Sequence, residues 1–121
     1  MAQSIRVLIV EDEIFIAMSL EVELKGERYG VCRRVATGEE AVAIAQEESP
    51  DVILMDIRLA GAIDGIEAAK RIRAFSDIPI IFMTGYQSKA IEEQAKALHP
   101  LGLFVKPVQV HKLKPLIDST V

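Results

Sequence analysis

Five short apolar runs, alternating with segments of helical periodicity, restrict the fold of this chain more than any other feature of its sequence. Mostly apolar runs of this length are typical of strands buried on both faces, and such strands indicate a parallel sheet covered by helices. The runs occupy residues 5–10, 31–35, 52–55, 78–83 and 103–105. The alternation predicts a doubly wound α/β domain of flavodoxin-like type, with five helices and strand order 2-1-3-4-5.

The segments between the runs are predicted to be helices because apolar residues recur in them at helical spacing. They cover residues 13–25, 37–48, 65–75, 88–98 and 110–119. Thr37 opens the second with a capping-box pattern in which Glu40 reaches back, and Asp64 is a candidate cap for the third. Pro115 lies inside the last segment, so a kink or a late start is expected there. The residues expected to face inward are Ala41, Ile44, Ala45, Ile66, Ala69, Ile72, Ile91, Ala95, Leu98, Val110, Leu113, Leu116 and Ile117.

Composition and charge argue against several classes of function. The formal net charge is −4 and the basic residues are scattered, whereas nucleic-acid binding usually needs a clustered basic surface. No apolar run approaches the roughly 20 residues that span a bilayer, and the N-terminus lacks a signal-peptide pattern. Cys32, the single cysteine, cannot form an internal disulfide and is compatible with a reducing cytoplasm. We expect one cytoplasmic domain over residues 1–121 that binds neither nucleic acid nor membrane.

Polar residues of complementary chemistry follow four of the five predicted strands. Glu11 and Asp12 follow the first strand, Asp56 the third, Thr84 the fourth and Lys106 the fifth. Ligands of open α/β sheets bind at the carboxyl ends of the strands, where strand order reverses, so these side chains should converge at one edge. Each residue alone is ordinarily a cap, a turn acid or an exposed cation. Their joint placement indicates a site.

The chemistry of this predicted site is phosphoryl transfer. Carboxylates gathered at one edge repel one another unless protons or a cation intervene, and oxygen ligands of this kind are preferred by Mg²⁺. A cation beside the amine of Lys106 makes a place for a phosphoryl group, with Asp56 supplying the attacking oxygen. Thr84 would donate a hydrogen bond to a phosphoryl oxygen, and Gly85 leaves room for it.

The segments that carry these residues resemble the receiver domains of response regulators, the CheY-like family of two-component signalling. They are VLIVEDE, DVILMDIRL, IPIIFMTG and GLFVKP, and the resemblance extends over essentially the whole chain. It implies that Asp56 is the phosphorylated aspartate of a phosphorelay and also a Mg²⁺ ligand. It further implies that Asp12 binds the metal directly, Glu11 through water and Arg58 through its backbone carbonyl.

The resemblance also implies how such a switch works. Thr84 would be the switch hydroxyl and Lys106 the phosphate-binding lysine, with a cis bond between Lys106 and Pro107. The phosphoryl group would come from a histidine kinase or a phosphotransfer protein, and the domain would catalyse its own phosphorylation and dephosphorylation. A downstream protein would then bind the surface formed by helix 4, strand 5 and helix 5. The protein would be a signalling switch and not an enzyme.

Three positions depart from the family pattern. Leu103 stands three residues before the lysine, where the family often has an aromatic residue that swings inward with the threonine. Ala60 replaces the usual proline, and the loop after the phosphorylation site is one residue longer than in the commonest pattern. We therefore expect Thr84 and Tyr86 to move on activation while Leu103 changes rotamer little and helix 4 shifts.

Three alternative functions fit parts of the sequence. A haloacid-dehalogenase-like phosphatase also uses a strand-end aspartate with Mg²⁺. Those enzymes resemble one another in an Asp-x-Asp pair at the nucleophile, and the second position of that pair is Arg58 in this chain. A flavodoxin-like FMN carrier would need a phosphate cradle after the first strand, where this chain is acidic. A degenerate receiver that only binds a partner would not need the intact set of acids, threonine and lysine.

Overall fold

The computed structural model describes residues 4–85 and 88–121, and over these ranges the chain forms a five-stranded parallel sheet flanked by five helices. The strands are β1 (Arg6–Val10), β2 (Gly30–Val35), β3 (Val52–Asp56), β4 (Ile80–Thr84) and β5 (Gly102–Val105). The helices are α1 (Ile14–Gly26), α2 (Gly38–Glu48), α3 (Gly65–Arg73), α4 (Lys89–Lys96) and α5 (Val110–Asp118). The order β2-β1-β3-β4-β5 confirms the predicted topology. Among the described residues, no helix is long and apolar enough to span a membrane.

Two apolar clusters lie on opposite faces of the sheet because successive side chains of a strand point to opposite sides. One cluster contains Leu8 and Phe82 together with the inner residues of α2 and α3. The other contains Ile9 and Leu54 together with the inner residues of α1 and α5. The central strands β1, β3 and β4 are therefore covered on both sides, which explains why their sequences are continuously apolar.

The inward-facing positions predicted for α2 and α3 are all buried. In α5 the prediction holds for three of the four positions, and Leu116 is only partly buried. In α4 the single buried residue is Ala95, and Ile91 is partly buried against the core; Leu98, predicted to lie in this helix, follows its end and is also partly buried. Of these helices, α4 is accordingly attached to the sheet by the smallest buried face.

The predicted helix caps are present. The Thr37 hydroxyl accepts a hydrogen bond from Glu40 N over 3.1 Å, and the Asp64 carboxylate accepts one from Glu67 N over 2.8 Å. Glu40 does reach back, and its Oε1 accepts from the backbone of Ala36 over 3.2 Å. These caps satisfy N–H groups that would otherwise have no partner in the first turn of α2 and of α3.

Several element boundaries differ from the sequence prediction by one or two residues, and α3 and α4 both end two residues early, at Arg73 and Lys96. Strand β4 begins at Ile80 and not at residue 78, because Pro79 has no N–H and contributes only its carbonyl, which accepts from Ile53 N over 2.9 Å. Of the kink or late start expected at Pro115, the late start does not occur, since α5 begins at Val110 and continues through Pro115. Pro115 lies on the exposed face of α5, where water can hydrate the helix carbonyl that loses its N–H partner.

Candidate functional site

The carboxyl ends of the strands bring the predicted polar residues to one edge of the sheet. Asp56 and Thr84 are the last residues of β3 and β4, and both are buried. Glu11 directly follows β1, with its N–H donating to the carbonyl of Val35 over 3.0 Å. Lys106 directly follows β5, with its N–H donating to the carbonyl of Thr84 over 2.7 Å. These strand ends and backbone hydrogen bonds thus fix the positions from which the polar side chains extend.

The ammonium group of Lys106 joins two of the acids. Its Nζ donates to Asp56 Oδ2 over 2.8 Å and lies 2.5 Å from Glu11 Oε1. The Glu11 side chain is fully buried and the Asp56 side chain is 4 % exposed, so the charges interact with little screening by water. The peptide bond between Lys106 and Pro107 is cis, as the resemblance implied.

Burial and neighbouring charges perturb the protonation of this cluster. Burial raises the pKa of Glu11 to about 7; the Lys106 ammonium opposes that rise and Asp56 adds to it. For Lys106, burial would lower the pKa, but the contacts with Asp56 and Glu11 outweigh burial and the pKa is raised. The lysine is therefore held in its charged form, facing carboxylates that compete for its charge.

The acids are arranged as a group of oxygen ligands. Carboxylate oxygens of Glu11, Asp12 and Asp56 all lie within 4.8 Å of one another, and Asp12 is the exposed member. Within the described part of the chain, no group donates a well-directed hydrogen bond to the buried Glu11 Oε1. Three carboxylates against one ammonium formally leave two negative charges uncompensated. This donor set fits a hard divalent cation such as Mg²⁺.

Arg58 and Thr84 lie beside this cluster. The backbone N–H of Arg58 donates to Asp56 Oδ1 over 3.2 Å, which places the start of the β3–α3 loop (residues 57–64) against the acid. After Thr84, a Cβ added at Gly85 would lie 4.0 Å from Lys106 Cδ, so no described residue crowds this position. Tyr86, which was expected to move with Thr84, lies outside the described residues.

Leu103 lies in β5 beside Phe82 of β4 and is partly buried against the cluster of α2 and α3. Phe104 points to the opposite face and packs with the cluster of α1 and α5. Phe104 therefore cannot take the place of the aromatic residue that the family often has at position 103, because adjacent residues of a strand face opposite sides.

Two features near the site were not anticipated from the sequence. The first is the direct pairing of Lys106 with Glu11, which had been predicted only as a water-mediated metal ligand. The second is the attachment of the β3–α3 loop to the start of α2 through Thr37 and Glu39. The only sequence signal for this attachment is Gly61, which has a φ of 101° and could have been noted as a special backbone position.

Large apolar side chains are exposed on α1 beside the cluster. Phe15 and Val22 are 82 % and 71 % exposed, and Ile14 and Met18 are about half exposed. An open cavity of about 430 Å³ lies between this helix and the segment after β5 and includes Lys106 in its lining. Exposed apolar patches of this kind often mark protein interaction sites.

The fold and the acid–lysine cluster define a class of protein, the doubly wound α/β domains with an acidic site at the switch point of the sheet. The family model of the response regulator receiver domain matches residues 7–118, and the chain belongs to that family. It is therefore a receiver domain of two-component signalling, with the CheY-like fold.

Similar proteins agree with this membership. The transcriptional regulatory protein PdtaR of Mycobacterium tuberculosis is 34 % identical over 116 residues, which are 96 % of this chain and 56 % of that protein. The chain thus spans about half the length of this relative. Sporulation initiation phosphotransferase F of Bacillus subtilis is 31 % identical over 115 residues, covering 94 % of this chain and 91 % of that protein. The receiver domain of a modulated diguanylate cyclase from Desulfovibrio desulfuricans superposes with a TM-score of 0.90 at 39 % identity, covering 98 % and 94 % of the two chains.

Proposed function

We propose that this receiver domain accepts a phosphoryl group on Asp56 in a reaction that requires Mg²⁺. The observation that carries the proposal is the position of the Asp56 carboxylate, which is buried between the Lys106 ammonium and the carboxylates of Glu11 and Asp12. A carboxylate nucleophile, a fixed cation and a set of oxygen ligands are the parts that phosphoryl transfer requires.

The reaction is a displacement at phosphorus. A carboxylate oxygen of Asp56 forms a bond to phosphorus while the bond from phosphorus to the donor's imidazole nitrogen breaks. The electron pair returns to that nitrogen, which takes up a proton. In the second half of the cycle, water attacks phosphorus and loses a proton to the solvent, the bond from phosphorus to Asp56 breaks, the Asp56 carboxylate is regenerated and inorganic phosphate leaves. The acyl phosphate on Asp56 is thus the signalling state, and its hydrolysis by the same domain ends the signal.

The side chains around Asp56 have distinct roles in this proposal. Lys106, already 2.8 Å from Asp56 Oδ2, pairs with the negative oxygens of the arriving phosphoryl group. Thr84 donates its hydroxyl to one of these oxygens. Asp12 and Asp56 would hold Mg²⁺ with their carboxylates, Glu11 would assist through water and Arg58 would offer its backbone carbonyl. When bound, the cation neutralises the charge that builds up on the phosphoryl oxygens.

The phosphoryl donor is proposed to be a histidine kinase or a phosphotransfer protein that docks over α1. The donor must bring a phosphohistidine to the carboxyl edge of the sheet, and the exposed side chains of Phe15 and Met18 lie on the helix that begins at that edge. An apolar surface on the donor would cover them. This placement supports α1 as the docking element because it combines exposed apolar area with closeness to the acceptor.

Output is proposed to pass through the surface of α4, β5 and α5 to a downstream protein. Phosphorylation would shift the population between two arrangements of this surface. The small buried face of α4, with Ala95 as its fully buried residue, supports this choice because the helix can be displaced at little cost in buried area. The alternative is a degenerate receiver that binds its partner without phosphorylation.

Acetyl phosphate provides the test. The protein is incubated with it in the presence of Mg²⁺, and the intact mass is measured. We expect one added phosphoryl group on the native chain and none on Asp56→Asn. Asp77→Asn, which changes an exposed acid just before β4 at the opposite end of the sheet, is the matched control and should be phosphorylated normally. A native chain that gains no mass would favour the degenerate receiver.

A further inference from the structure

We propose that Glu39 is a positioning residue for the metal site: its carboxylate holds the β3–α3 loop in the arrangement that places the backbone of Arg58 at the acid cluster. The inference rests on the proposed Mg²⁺-dependent function. Glu39 lies in the first turn of α2 and contributes no ligand itself, so it acts only through the loop.

The Glu39 carboxylate is fastened to the tip of the loop. Its Oε2 accepts a hydrogen bond from Ala62 N over 3.2 Å. Backbone N–H groups, first that of Glu39 itself and then those of Ala62 and Ile63, lower the pKa of this carboxyl. Hydrogen bonds to a charged acceptor are stronger than those between neutral groups, so the ionised Glu39 carboxylate holds the tip of the loop more strongly than a neutral group would.

The loop is shaped to receive this carboxylate. Gly61 has a φ of 101°, and a Cβ placed there would lie 3.1 Å from Glu39 Oε1. That backbone conformation is one that residues other than glycine rarely adopt. The turn at Gly61 and the approach of the Glu39 side chain are therefore matched, and a larger residue would disturb both.

Two neighbouring contacts fix the same stretch of loop. Thr37, which caps α2, forms an isolated parallel bridge with Ala60. At Gly38 a Cβ would lie 2.7 Å from Ile63 Cγ1, so the start of α2 packs closely on the end of the loop. Residues 60–63 are thus held by three successive residues at the start of α2, and Glu39 supplies the only charged contact of the three.

The loop is anchored at its other end by the acceptor itself. Arg58 N donates to Asp56 Oδ1 over 3.2 Å, and between Arg58 and the fastened residues only Leu59 intervenes, partly buried against the core. A segment this short cannot move independently of its two anchors. The direction of the Arg58 carbonyl is consequently determined in part by Glu39, although the two residues lie on different elements.

A simpler role for Glu39 is to complement the helix dipole, as acids in the first turn of a helix commonly do. That role would stabilise α2 without affecting the loop. It predicts the same loss of helix stability for any neutral replacement and no effect on metal binding. The two roles therefore differ in a quantity that can be measured.

The test compares the Mg²⁺ affinity of three variants by titration calorimetry at a temperature where all are folded. If loss of the fastener leaves the loop competent for a third to a tenth of the time, Glu39→Ala binds Mg²⁺ about three- to tenfold more weakly. Glu39→Gln keeps an acceptor oxygen and should recover part of the loss. Glu47→Ala removes the same charge from an exposed position near the end of α2 and should bind within about twofold of the native chain.

Amide hydrogen exchange of the metal-free protein provides a second readout. Glu39→Ala should speed exchange at residues 58–63 without a matching change along the rest of α2. Equal Mg²⁺ affinities for Glu39→Ala and Glu47→Ala would overturn the positioning role and leave the proposed function standing. A native chain that does not bind Mg²⁺ would overturn both. Faster exchange confined to α2, with unchanged affinity, would assign Glu39 to the helix dipole alone.

Discussion

Replacing Gly65 by alanine should destabilise the protein because there is no room for a side chain where α3 begins. A Cβ at this position would lie 2.1 Å from the carbonyl oxygen of Asp56 and 2.9 Å from the Cα of Ile57. Both contacts are with backbone, so no side-chain rotation can relieve them. The start of α3, fixed by a 2.8 Å hydrogen bond from Gly65 N to the carbonyl of Ile57, would have to move away from β3.

The size of the effect follows from these contacts. Overpacking costs about 1–3 kcal/mol, and contacts with backbone alone place Gly65→Ala in the upper part of that range. Alanine also restricts the unfolded chain, which offsets about 0.4–1 kcal/mol. A net loss of about 2 kcal/mol lowers the midpoint of urea unfolding by about 1 M, since the urea dependence for a protein of this size is about 2 kcal/mol per M.

The matched control is Gly26→Ala, at the last residue of α1. No described heavy atom lies within 4 Å of a Cβ at this position, so the substitution adds no clash. We expect its urea midpoint to equal or slightly exceed that of the native chain. If Gly65→Ala unfolds within about 0.3 M of the control, the close approach of α3 to β3 is not a constraint on the fold.

Three further predictions concern the metal, the pH dependence of stability and the route of the signal. Asp12→Ala should abolish measurable Mg²⁺ binding and the Mg²⁺ dependence of phosphorylation, with a smaller effect for Glu11→Gln; phosphorylation that persists in EDTA would contradict this. The hydrogen bond from Tyr29 Oη, 2.6 Å from Asp118 Oδ1, is the main cause that lowers the pKa of Asp118. Because the folded pKa lies below the unfolded value of about 3.9, the bond stabilises the protein above that pH and is lost as the pH falls. Asp118→Asn should therefore be less stable than the native chain in urea at pH 7, with the difference shrinking below about pH 4; a constant difference would refute the linkage. Beryllofluoride with Mg²⁺ should change amide exchange in α4 and β5, including Leu103, and changes confined to the loops at the site would refute output through that face.

The topology could be predicted from the sequence because its central strands β1, β3 and β4 are buried on both faces and its helices are not. Continuous apolar runs such as that ending at Met55 can only be central strands of a covered sheet, and the strand order then brings Glu11, Asp56 and Lys106 to one edge. The site residues were identifiable for the same reason. Their positions depend on which strands are neighbours in the sheet and on the polar residue that follows each apolar run, and both can be identified in the sequence.

The contacts of individual side chains could not be predicted in this way. The pairing of Lys106 with Glu11 depends on how a long side chain is directed across the strand ends, and no periodicity encodes that direction. The fastening of Ala62 by Glu39 joins residues that are 23 positions apart on a loop and a helix. Loops lack the regular spacing that helices and strands have, so their partners become evident only in the folded chain.

The central claim is that Asp56 carries the phosphoryl group. Borohydride reduces an aspartyl phosphate to homoserine, so peptide sequencing of the protein after treatment with acetyl phosphate and Mg²⁺ identifies the modified residue. We predict homoserine at position 56, none when Mg²⁺ is removed, and less at a fixed reaction time when Lys106 is replaced by alanine, because phosphorylation is then slowed. Modification at Asp12 or Glu11 instead, or an unmodified Asp56 in protein that has gained the mass of a phosphoryl group, would contradict the account.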